Sequence, residues 1–407
     1  MSNVILRPDL SPVDKINLMQ EDACFDVADS DDLSDAAVSA AMAVKSQKAP
    51  PKVPKIFLSN NCVFNCAYCG CRNSRDKERY CFEPKEMAKI AVEEAKSCGR
   101  GIFLTSAIYK NPDYTQELIV ETVKSIRRDF GYRGYLHAKV MPGADPLLIR
   151  QTGMFTNRLS VNIEVAKSEG YNLIAKQKNR NNILSPMGQI SSLISAAKSD
   201  RQQFAISQTT QLMAGSVGED DRTILTLSAA LYKKYKLKRV YYTPYTYENI
   251  ANGYDLPITK TPRWRMHRLY QADRLMEFYG FTPDDITPDN YAFLEDDIDP
   301  KAAWALRHLD MYPVELNTAE YEDLLKIPGI GVTYAKRIME ARKICGLSFE
   351  ILKKIKIPLK KSCHFITCGG LYTGKLIDNA ADMRKILADP VDEAENLSLD
   401  CVYPVSV

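Results

Sequence analysis

Several features that would narrow the class of this protein at once are missing from its sequence. No apolar run approaches the roughly 18 residues that a membrane-spanning helix requires, and the N-terminus has no basic patch followed by a long apolar stretch. We therefore expect no membrane segment, no signal peptide and a cytoplasmic location. The 54 basic and 51 acidic residues leave a net charge of only +3, and the 45% hydrophobic content excludes a wholly disordered chain, a collagen and a coiled coil.

The cysteines are the most informative residues. There are 11, an odd number with no export signal, so a disulfide scaffold is a poor interpretation. Three of them, Cys62, Cys66 and Cys69, form a C-x3-C-x2-C motif. A structural zinc site usually has four ligands arranged as two C-x-x-C pairs, and the sequence contains no second pair. Three thiolates at this spacing instead suit an iron–sulfur cluster in which one iron stays open for a small molecule.

Strand and helix patterns alternate from Lys55 to Tyr245. This alternation predicts parallel strands joined by right-handed helical crossovers. Six such units predict an α/β fold, a partial (β/α)6 barrel rather than the full eight-strand form, and only helical patterns follow Tyr247. The predicted strands are 56–58, 101–105, 135–140, 158–165, 207–214 and 238–245.

The charge pattern divides the chain further. Acidic ends flank a basic middle, and residues 316–366 alone carry 10 basic and 5 acidic side chains. This excess of positive charge favours a nucleic-acid partner for that segment. The predicted segments are a partly ordered N-terminal arm at 1–50, the barrel at 51–250, a helical connector at 251–315, an all-α module at 316–370 and an acidic tail at 371–407.

The cysteine motif resembles that of the radical S-adenosylmethionine (radical SAM) superfamily. An aromatic residue, Tyr68, directly precedes the third cysteine, and the motif lies in the loop after the first predicted strand. The resemblance implies a 4Fe–4S cluster on Cys62, Cys66 and Cys69, with SAM at the open iron and Tyr68 beside the cofactor. It also implies reductive cleavage of SAM to a 5′-deoxyadenosyl radical. The alternatives are a structural metal site or buried free thiols.

The same resemblance implies further SAM contacts at the strand ends, where such barrels carry function. Ser106 matches the position that contacts the methionine amine, and Lys139 is placed to pair with a carboxylate. In this superfamily the fourth strand typically contacts the ribose of SAM. Its alternate positions here are Ser160, Asn162 and Glu164. For each of them the alternative is a polar residue that caps the rim of the barrel. The sequence identifies no catalytic residue.

The stretch 324–342 resembles a helix-hairpin-helix motif. Gly329 and Gly331 let the turn approach a ligand closely, and the next helix begins with N–H groups and a positive dipole end that bind a phosphate without reading the base. Lys336 and Arg337 add positive charge on that helix. We therefore predict sequence-independent binding of the DNA backbone, with a protein-binding helical module as the alternative.

Two other segments extend this basic character. Residues 348–361 look like a degenerate second hairpin. The basic and aromatic run at 260–270 either lines a nucleic-acid groove or forms an amphipathic helix with a solvated face.

The pattern as a whole, over about residues 20–370, resembles radical SAM proteins associated with DNA modification or repair. This resemblance implies a DNA-modifying or DNA-repairing radical SAM enzyme. Its implied partners are DNA, a uracil-DNA-glycosylase-like protein and an electron donor such as flavodoxin or ferredoxin. The stretches that carry the resemblance are 61–69, 141–146, 159–164, 185–188, 267–273, 304–308, 327–331 and 365–370.

Two alternative functions stay open. One is a radical SAM enzyme that modifies RNA. The other is a non-catalytic iron–sulfur protein that binds DNA and takes a fourth cluster ligand from Cys71 or Cys81. A second cluster on Cys345, Cys363, Cys368 and Cys401 is conceivable, although their loose spacing favours ordinary thiols. If a product radical needs a hydrogen donor, the candidates are Cys71, Cys98, Tyr241, Tyr242 and Tyr245.

Overall fold

The computed structural model of this chain describes residues 55–98, 101–245, 261–374 and 379–389. The predicted N-terminal arm, residues 246–260 and the end of the predicted tail lie outside these ranges. The chain divides into two compact units. One contains the described residues up to Glu219 together with 230–245 and 261–262, and the other contains 220–229 and the described residues from Arg263 onward. Within the described ranges, no helix has the length and apolar content needed to cross a membrane.

The first unit is built on a sheet of six parallel strands that pair in chain order. This half-barrel confirms the predicted fold class and the presence of a strand at each of the six predicted places. The strands are β1 (Lys55–Phe57), β2 (Ile102–Thr105), β3 (Leu136–Lys139), β4 (Arg158–Ser160), β5 (Ser207–Ala214) and β6 (Arg239–Pro244).

Helices connect successive strands, as the alternating pattern predicts. They begin where the sequence offers a cap: the Asn111 side chain accepts from the Tyr114 N–H, and the Asp145 side chain accepts from the Leu147 N–H. The helices are α1 (Pro84–Cys98), α2 (Pro112–Arg128), α3 (Pro146–Phe155), α4 (Glu169–Ile174), α5 (Arg180–Asp200) and α6 (Asp221–Tyr235).

The two faces of the sheet differ in polarity because side chains alternate along a strand. On the face that the helices cover, Leu159 and Val240 are fully buried, and the Gln208 amide donates to the Met187 carbonyl of α5 at 3.1 Å. The opposite face carries a polar row on four neighbouring strands, formed by Lys139, Ser160, Thr209 and Arg239. The interior of the half-barrel is therefore lined with hydrogen-bonding groups.

The predicted fourth strand is wrong in its length. It was expected to run from Arg158 to Val165 but ends at Ser160. Beyond that point the Thr210 hydroxyl of β5 accepts the Ile163 N–H at 2.9 Å and so replaces a ladder bond. Glu164 then adopts a left-handed conformation with φ of 64°. Ser160, Asn162 and Glu164 consequently do not share one face of a continuous strand.

Helix α5 also begins earlier than predicted. The sequence predicts this helix over 186–199, whereas it begins at Arg180 and contains Pro186 in its interior. Asn179 and Asn182 form a reciprocal capping box that starts the helix. The short helix α4 was not predicted.

The second unit is mainly helical. The sequence predicts helices at 264–279 and 301–309, and α7 and α9 lie there with their ends shifted by one or two residues. A two-residue parallel ladder between β7 and β8 was not predicted. The elements are α7 (Arg263–Phe278), α8 (Pro283–Ile286), α9 (Pro300–Arg307), β7 (Val314–Glu315), α10 (Tyr321–Lys326), α11 (Val332–Arg342), α12 (Phe349–Lys354), α13 (Leu359–Ser362), β8 (Ile366–Thr367) and α14 (Ala380–Leu387).

Candidate functional site

The three cysteines of the motif lie on the loop between β1 and α1. Cys62 and Cys66 are 8% and 5% exposed, and Cys69 is partly buried. The loop is anchored through its backbone. The Val63 N–H donates to the Ile108 carbonyl at 2.8 Å, and the Ala67 N–H donates to the Ile174 carbonyl at 2.8 Å. The sulfurs thus sit near the carboxyl end of the first strand, at the edge of the half-barrel where function is expected.

The thiols act on one another electrostatically. Burial raises the pKa of Cys62, and it raises the pKa of Cys66 to about 12; charge on neighbouring cysteines adds to both increases. Cys69 differs because the Cys71 thiol donates a hydrogen bond to its sulfur. That bond outweighs burial and lowers the pKa of Cys69 to about 7.

The residues fit an iron–sulfur cluster. The Phe64 N–H donates to the Cys62 sulfur and the Cys71 N–H to the Cys69 sulfur, each at 3.4 Å. Hydrogen bonds of this kind tune cluster thiolates. In the described part of the chain, no group of three or more His, Cys, Asp or Glu side chains is arranged to hold a single metal ion. A cubane does not require one, since each thiolate ligates a different iron.

A buried ion pair lies beside the cysteines, and sequence reasoning found only half of it. The Lys178 ammonium lies 2.8 Å from the Glu164 carboxylate and donates to the Tyr68 hydroxyl at 3.3 Å. Although burial opposes its charge, Glu164 and Tyr68 raise the pKa of Lys178 well above its ordinary value. Burial and Glu164 in turn raise the pKa of Tyr68. Lys178 belongs to no motif, so only the folded chain reveals it.

The backbone at Glu164 explains how its carboxylate reaches this position. The Glu164 N–H donates to the Gln211 carbonyl at 3.0 Å, and the Met213 N–H donates to the Glu164 carbonyl at 2.8 Å. These bonds to β5 hold a left-handed residue in place. The structure thus brings Glu164 and Tyr68 together through Lys178.

The other predicted cofactor residues occupy the sheet and its carboxyl edge. The Ser106 hydroxyl donates to the Ala107 carbonyl at 2.8 Å. Lys139 is half-buried and pairs in register with Ser160, and Asn162 is 8% exposed. Their contacts to a cofactor stay predictions.

Arg79 organises the second half of the cysteine loop. Its side chain is nearly inaccessible to solvent. Nη1 donates to the carbonyls of Asn60 and Cys71 at 2.7 and 2.9 Å. Nη2 donates to the carbonyls of Arg72 and Arg75, both at 2.7 Å. One guanidinium therefore satisfies four carbonyls of a loop that has little regular structure of its own.

The fourth-ligand candidates differ in their surroundings. Cys71 is buried and its thiol contacts the Cys69 sulfur. The Cys81 thiol is instead engaged with the Ser59 hydroxyl and the Phe82 carbonyl. Among the described residues, the C-terminal cysteines form no metal-binding group, and Cys401 lies outside those residues. The side chain of Cys98 also lies outside them.

The hairpin joins α10 to α11 in the second unit. Gly329 has a φ of 85°, which a residue with a side chain adopts only with strain. A Cβ at Gly331 would lie 2.9 Å from the Tyr279 hydroxyl, so this glycine permits a close approach. Ile330 between them is fully buried and fixes the turn. Both predicted glycines therefore serve the geometry of the hairpin.

The charged residues of α11 are exposed as predicted. Lys336 and Arg337 are exposed, and the Arg337 guanidinium lies 5.6 Å from the centre of the Tyr334 ring. These cations are accessible to a phosphate backbone.

The basic run on α7 behaves differently. Arg268 is fully buried and donates to the backbone carbonyls of Glu295, Asp296 and Asp389. Arg265 forms a 2.7 Å ion pair with the buried carboxylate of Asp221. These two cations are structural, which removes them from the predicted nucleic-acid groove. Lys260 lies outside the described residues.

Comparison with known proteins identifies the C-terminal motif. Residues 312–356 match a family described as a helix-hairpin-helix motif. A search of the curated proteins found no match. The predicted helix-hairpin-helix is thereby confirmed.

The chain is also similar in structure to several enzymes. The FeFe-hydrogenase maturase HydG from Carboxydothermus hydrogenoformans has a TM-score of 0.43 and 16% identity, over 66% of this chain and 60% of HydG. Coproporphyrinogen III oxidase (HemN) from Escherichia coli, a radical SAM enzyme, has a TM-score of 0.33 and 14% identity, over 61% of this chain and 56% of HemN. The radical SAM methyltransferase TsrM from Kitasatospora setae has a TM-score of 0.33 and 13% identity, over 47% of this chain and 36% of TsrM.

The predicted resemblance to radical SAM enzymes is thus found again among solved structures. This chain spans less than two thirds of the length of each of the three. Their activities and substrates belong to those proteins, and similarities this low carry no argument about mechanism. The function of this chain is therefore argued from its own residues.

Proposed function

We propose that this chain is a radical SAM enzyme that acts on DNA and binds an iron–sulfur cluster through Cys62, Cys66 and Cys69. The observation that carries the proposal is the gathering of these thiols after the first strand of a six-strand parallel half-barrel. A 4Fe–4S cluster held by three thiolates would supply an electron and an open iron for SAM, and thereby a 5′-deoxyadenosyl radical.

The chain's own residues shape this site. Backbone N–H groups donate to two of the sulfurs, which stabilises them as thiolates. Burial of Cys62 and Cys66 excludes water, which protects a reactive species from side reactions. The residues proposed to bind SAM offer hydroxyl, ammonium, amide and carboxylate groups; they are Tyr68, Ser106, Lys139, Ser160, Asn162 and Glu164.

The DNA part of the proposal rests on the helix-hairpin-helix motif. The N-terminus of α11 presents N–H groups and a positive dipole end, and Lys336 and Arg337 add exposed charge. Such contacts reach phosphates and carry no base specificity. A base acted on by a buried radical has to be unpaired or flipped out of the duplex. A uracil-DNA-glycosylase-like partner and a flavodoxin- or ferredoxin-type electron donor belong to the same proposal.

The experiment that tests the chemistry uses anaerobically reconstituted protein with SAM and dithionite. Formation of 5′-deoxyadenosine, together with a SAM-induced change in the cluster EPR spectrum, is expected for the wild type. The Cys66→Ala variant is expected to fold, as judged by circular dichroism, and to form no 5′-deoxyadenosine. Wild-type turnover in Cys66→Ala would refute the role of the motif.

DNA binding is tested by reversing charge on the hairpin helix. The Lys336→Glu/Arg337→Glu variant should bind duplex DNA more weakly, with a salt dependence reduced by a slope of about 2 for the two lost phosphate contacts. A matched control, Lys233→Glu/Lys234→Glu, makes the same charge change on exposed residues of α6. Equal losses in the two variants would contradict a specific interface. Tighter binding of transfer RNA than of duplex DNA would favour an RNA substrate.

One observation favours a second candidate, a non-catalytic iron–sulfur protein that binds DNA. The Cys71 thiol already contacts the Cys69 sulfur, so a fourth thiol lies close enough to the motif to serve as a cluster ligand. If Cys71 ligates the fourth iron, SAM should leave the cluster EPR spectrum of the wild type unchanged. The Cys71→Ala variant should then gain a SAM-induced change. A SAM-induced change in the wild type would exclude this candidate.

A further inference from the structure

The pair formed by Lys178 and Glu164 is an unusual feature of the cysteine site. Both side chains are almost completely buried, at 12% and 7% exposure, and the ammonium and carboxylate lie 2.8 Å apart. The Lys178 ammonium also donates to the Tyr68 hydroxyl and lies 6.0 Å from the centre of the Tyr68 ring. A charge pair buried this deeply next to metal-binding thiols is screened little by solvent or salt.

The pair is oriented with respect to the cysteines. The Lys178 ammonium donates to the hydroxyl of Tyr68, a residue within the cysteine motif, at 3.3 Å. The chain next to Lys178 is also bound to the cysteine loop, since the Asn65 N–H donates to the Gln177 side chain at 3.3 Å. The backbone of Glu164 is instead held by β5. The ammonium is therefore the end of the pair that contacts the cysteine loop.

We infer that the Lys178–Glu164 ion pair presents its positive end to the cysteine loop and raises the reduction potential of the cluster bound there. The inference rests on the proposed function. Reduction adds one negative charge to the cluster, and a nearby fixed positive charge stabilises that reduced state. The carboxylate end works in the opposite sense from farther away. Lys178 is thus a positioning residue, which also holds Tyr68 and Glu164 in place.

The two ends of the pair predict opposite effects. Lys178→Met removes the positive end and should shift the midpoint potential to a more negative value. Glu164→Gln keeps the positive end but removes its counter-charge, and should shift the potential to a more positive value. Lys178→Arg keeps the charge and should stay close to the wild type.

The test is an EPR-monitored redox titration of anaerobically reconstituted full-length protein. Iron content and circular dichroism confirm that each variant is loaded and folded. The matched control is Lys176→Met, which removes an exposed lysine from the same loop. It is expected to leave the potential near the wild-type value.

The outcomes separate this inference from the proposed function. Opposite shifts for Lys178→Met and Glu164→Gln, with retention in Lys178→Arg, support the inference. Shifts in the same direction, or a Lys178→Met shift no larger than that of Lys176→Met, overturn it. Failure of the wild type to bind a cluster at all would refute the proposed function instead.

Discussion

The buried amine of Lys301 makes the stability of the hairpin module depend on pH. Lys301 lies on α9, and its ammonium donates to the Ile330 carbonyl in the hairpin turn. It also lies 4.9 Å from the centre of the Tyr279 ring. Burial, only partly opposed by the charge of Asp299, lowers the pKa of Lys301 from 10.5 to about 7.

The sign of the effect follows from proton binding. In the unfolded chain the lysine keeps its proton up to a pH near 10.5, whereas in the folded protein it loses the proton near pH 7. Between these values the unfolded state binds more protons, so the free energy of unfolding rises with pH. At about 1.4 kcal/mol per pKa unit, the whole difference is about 5 kcal/mol. About 2 kcal/mol of it is expected between pH 7 and pH 9.

Urea unfolding at pH 7 and pH 9 measures this effect. The chain has two tryptophans, and Trp304 lies on α9 together with Lys301. Both tryptophans lie in the second unit, so their fluorescence reports on its unfolding, and a Trp264→Phe background restricts the signal to α9. Lys301→Met keeps the length of the side chain but removes the amine. The parent's free energy of unfolding should rise by about 2 kcal/mol between pH 7 and pH 9, and that of Lys301→Met should lack this rise.

A control variant separates Lys301 from other titrating groups. Lys343→Met removes an exposed lysine of the same module and should keep the pH dependence of the parent. Parallel pH profiles for the parent and Lys301→Met would refute the reasoning, because they would show that the buried amine does not lose its proton in this range.

Three further predictions concern the cysteine loop, the Glu315 carboxylate of β7 and the hairpin turn. Arg79→Lys should destabilise the first unit by about 2–5 kcal/mol in urea unfolding and lower its iron content, since a lysine cannot reach all four carbonyls and each one left unpaired costs about 1–3 kcal/mol; unchanged values would contradict the role of the guanidinium. Although burial opposes it, N–H groups of Gly370, Asn317 and Gly369 lower the pKa of Glu315 to about 2. Its stabilising effect should therefore be complete above about pH 4.5 and disappear as the pH falls towards 2, and Glu315→Gln should flatten the acid limb of a thermal melt. Gly329→Ala should cost about 1–3 kcal/mol of stability and weaken DNA binding because of its positive φ, whereas Gly346→Ala, where a Cβ meets open space, should do neither.

Much of the fold could be predicted because it depends on local patterns. The strands β1 and β2 are short apolar runs, and α6 is an amphipathic segment whose ends coincide with the predicted bounds of 221–235. The hairpin could be predicted for a related reason. A left-handed turn residue such as Gly329 restricts the amino acid at its own position, so the requirement is visible in the sequence.

Local sequence patterns fail to predict the structure where contacts with residues distant in sequence decide the conformation or the burial of a side chain. Where the fourth strand ends, the Thr210 side chain of β5 replaces a backbone partner: its hydroxyl accepts the Ile163 N–H and donates to the Val161 carbonyl. In the sequence, Arg268 is one of several basic residues of a basic helix. In the structure, its guanidinium is buried against backbone carbonyls from distant segments. No period or motif within α7 encodes those contacts.

The sequence by itself determined which residues form the cysteine motif and the hairpin, since both depend on spacing along the chain. Only the tertiary structure decided what surrounds them. Lys178 meets Tyr68 across 110 residues of chain, and Glu164 reaches Lys178 because β5 holds its backbone in a left-handed conformation. Charge and burial at a site depend on which distant side chains share it, and that is settled by packing rather than by spacing.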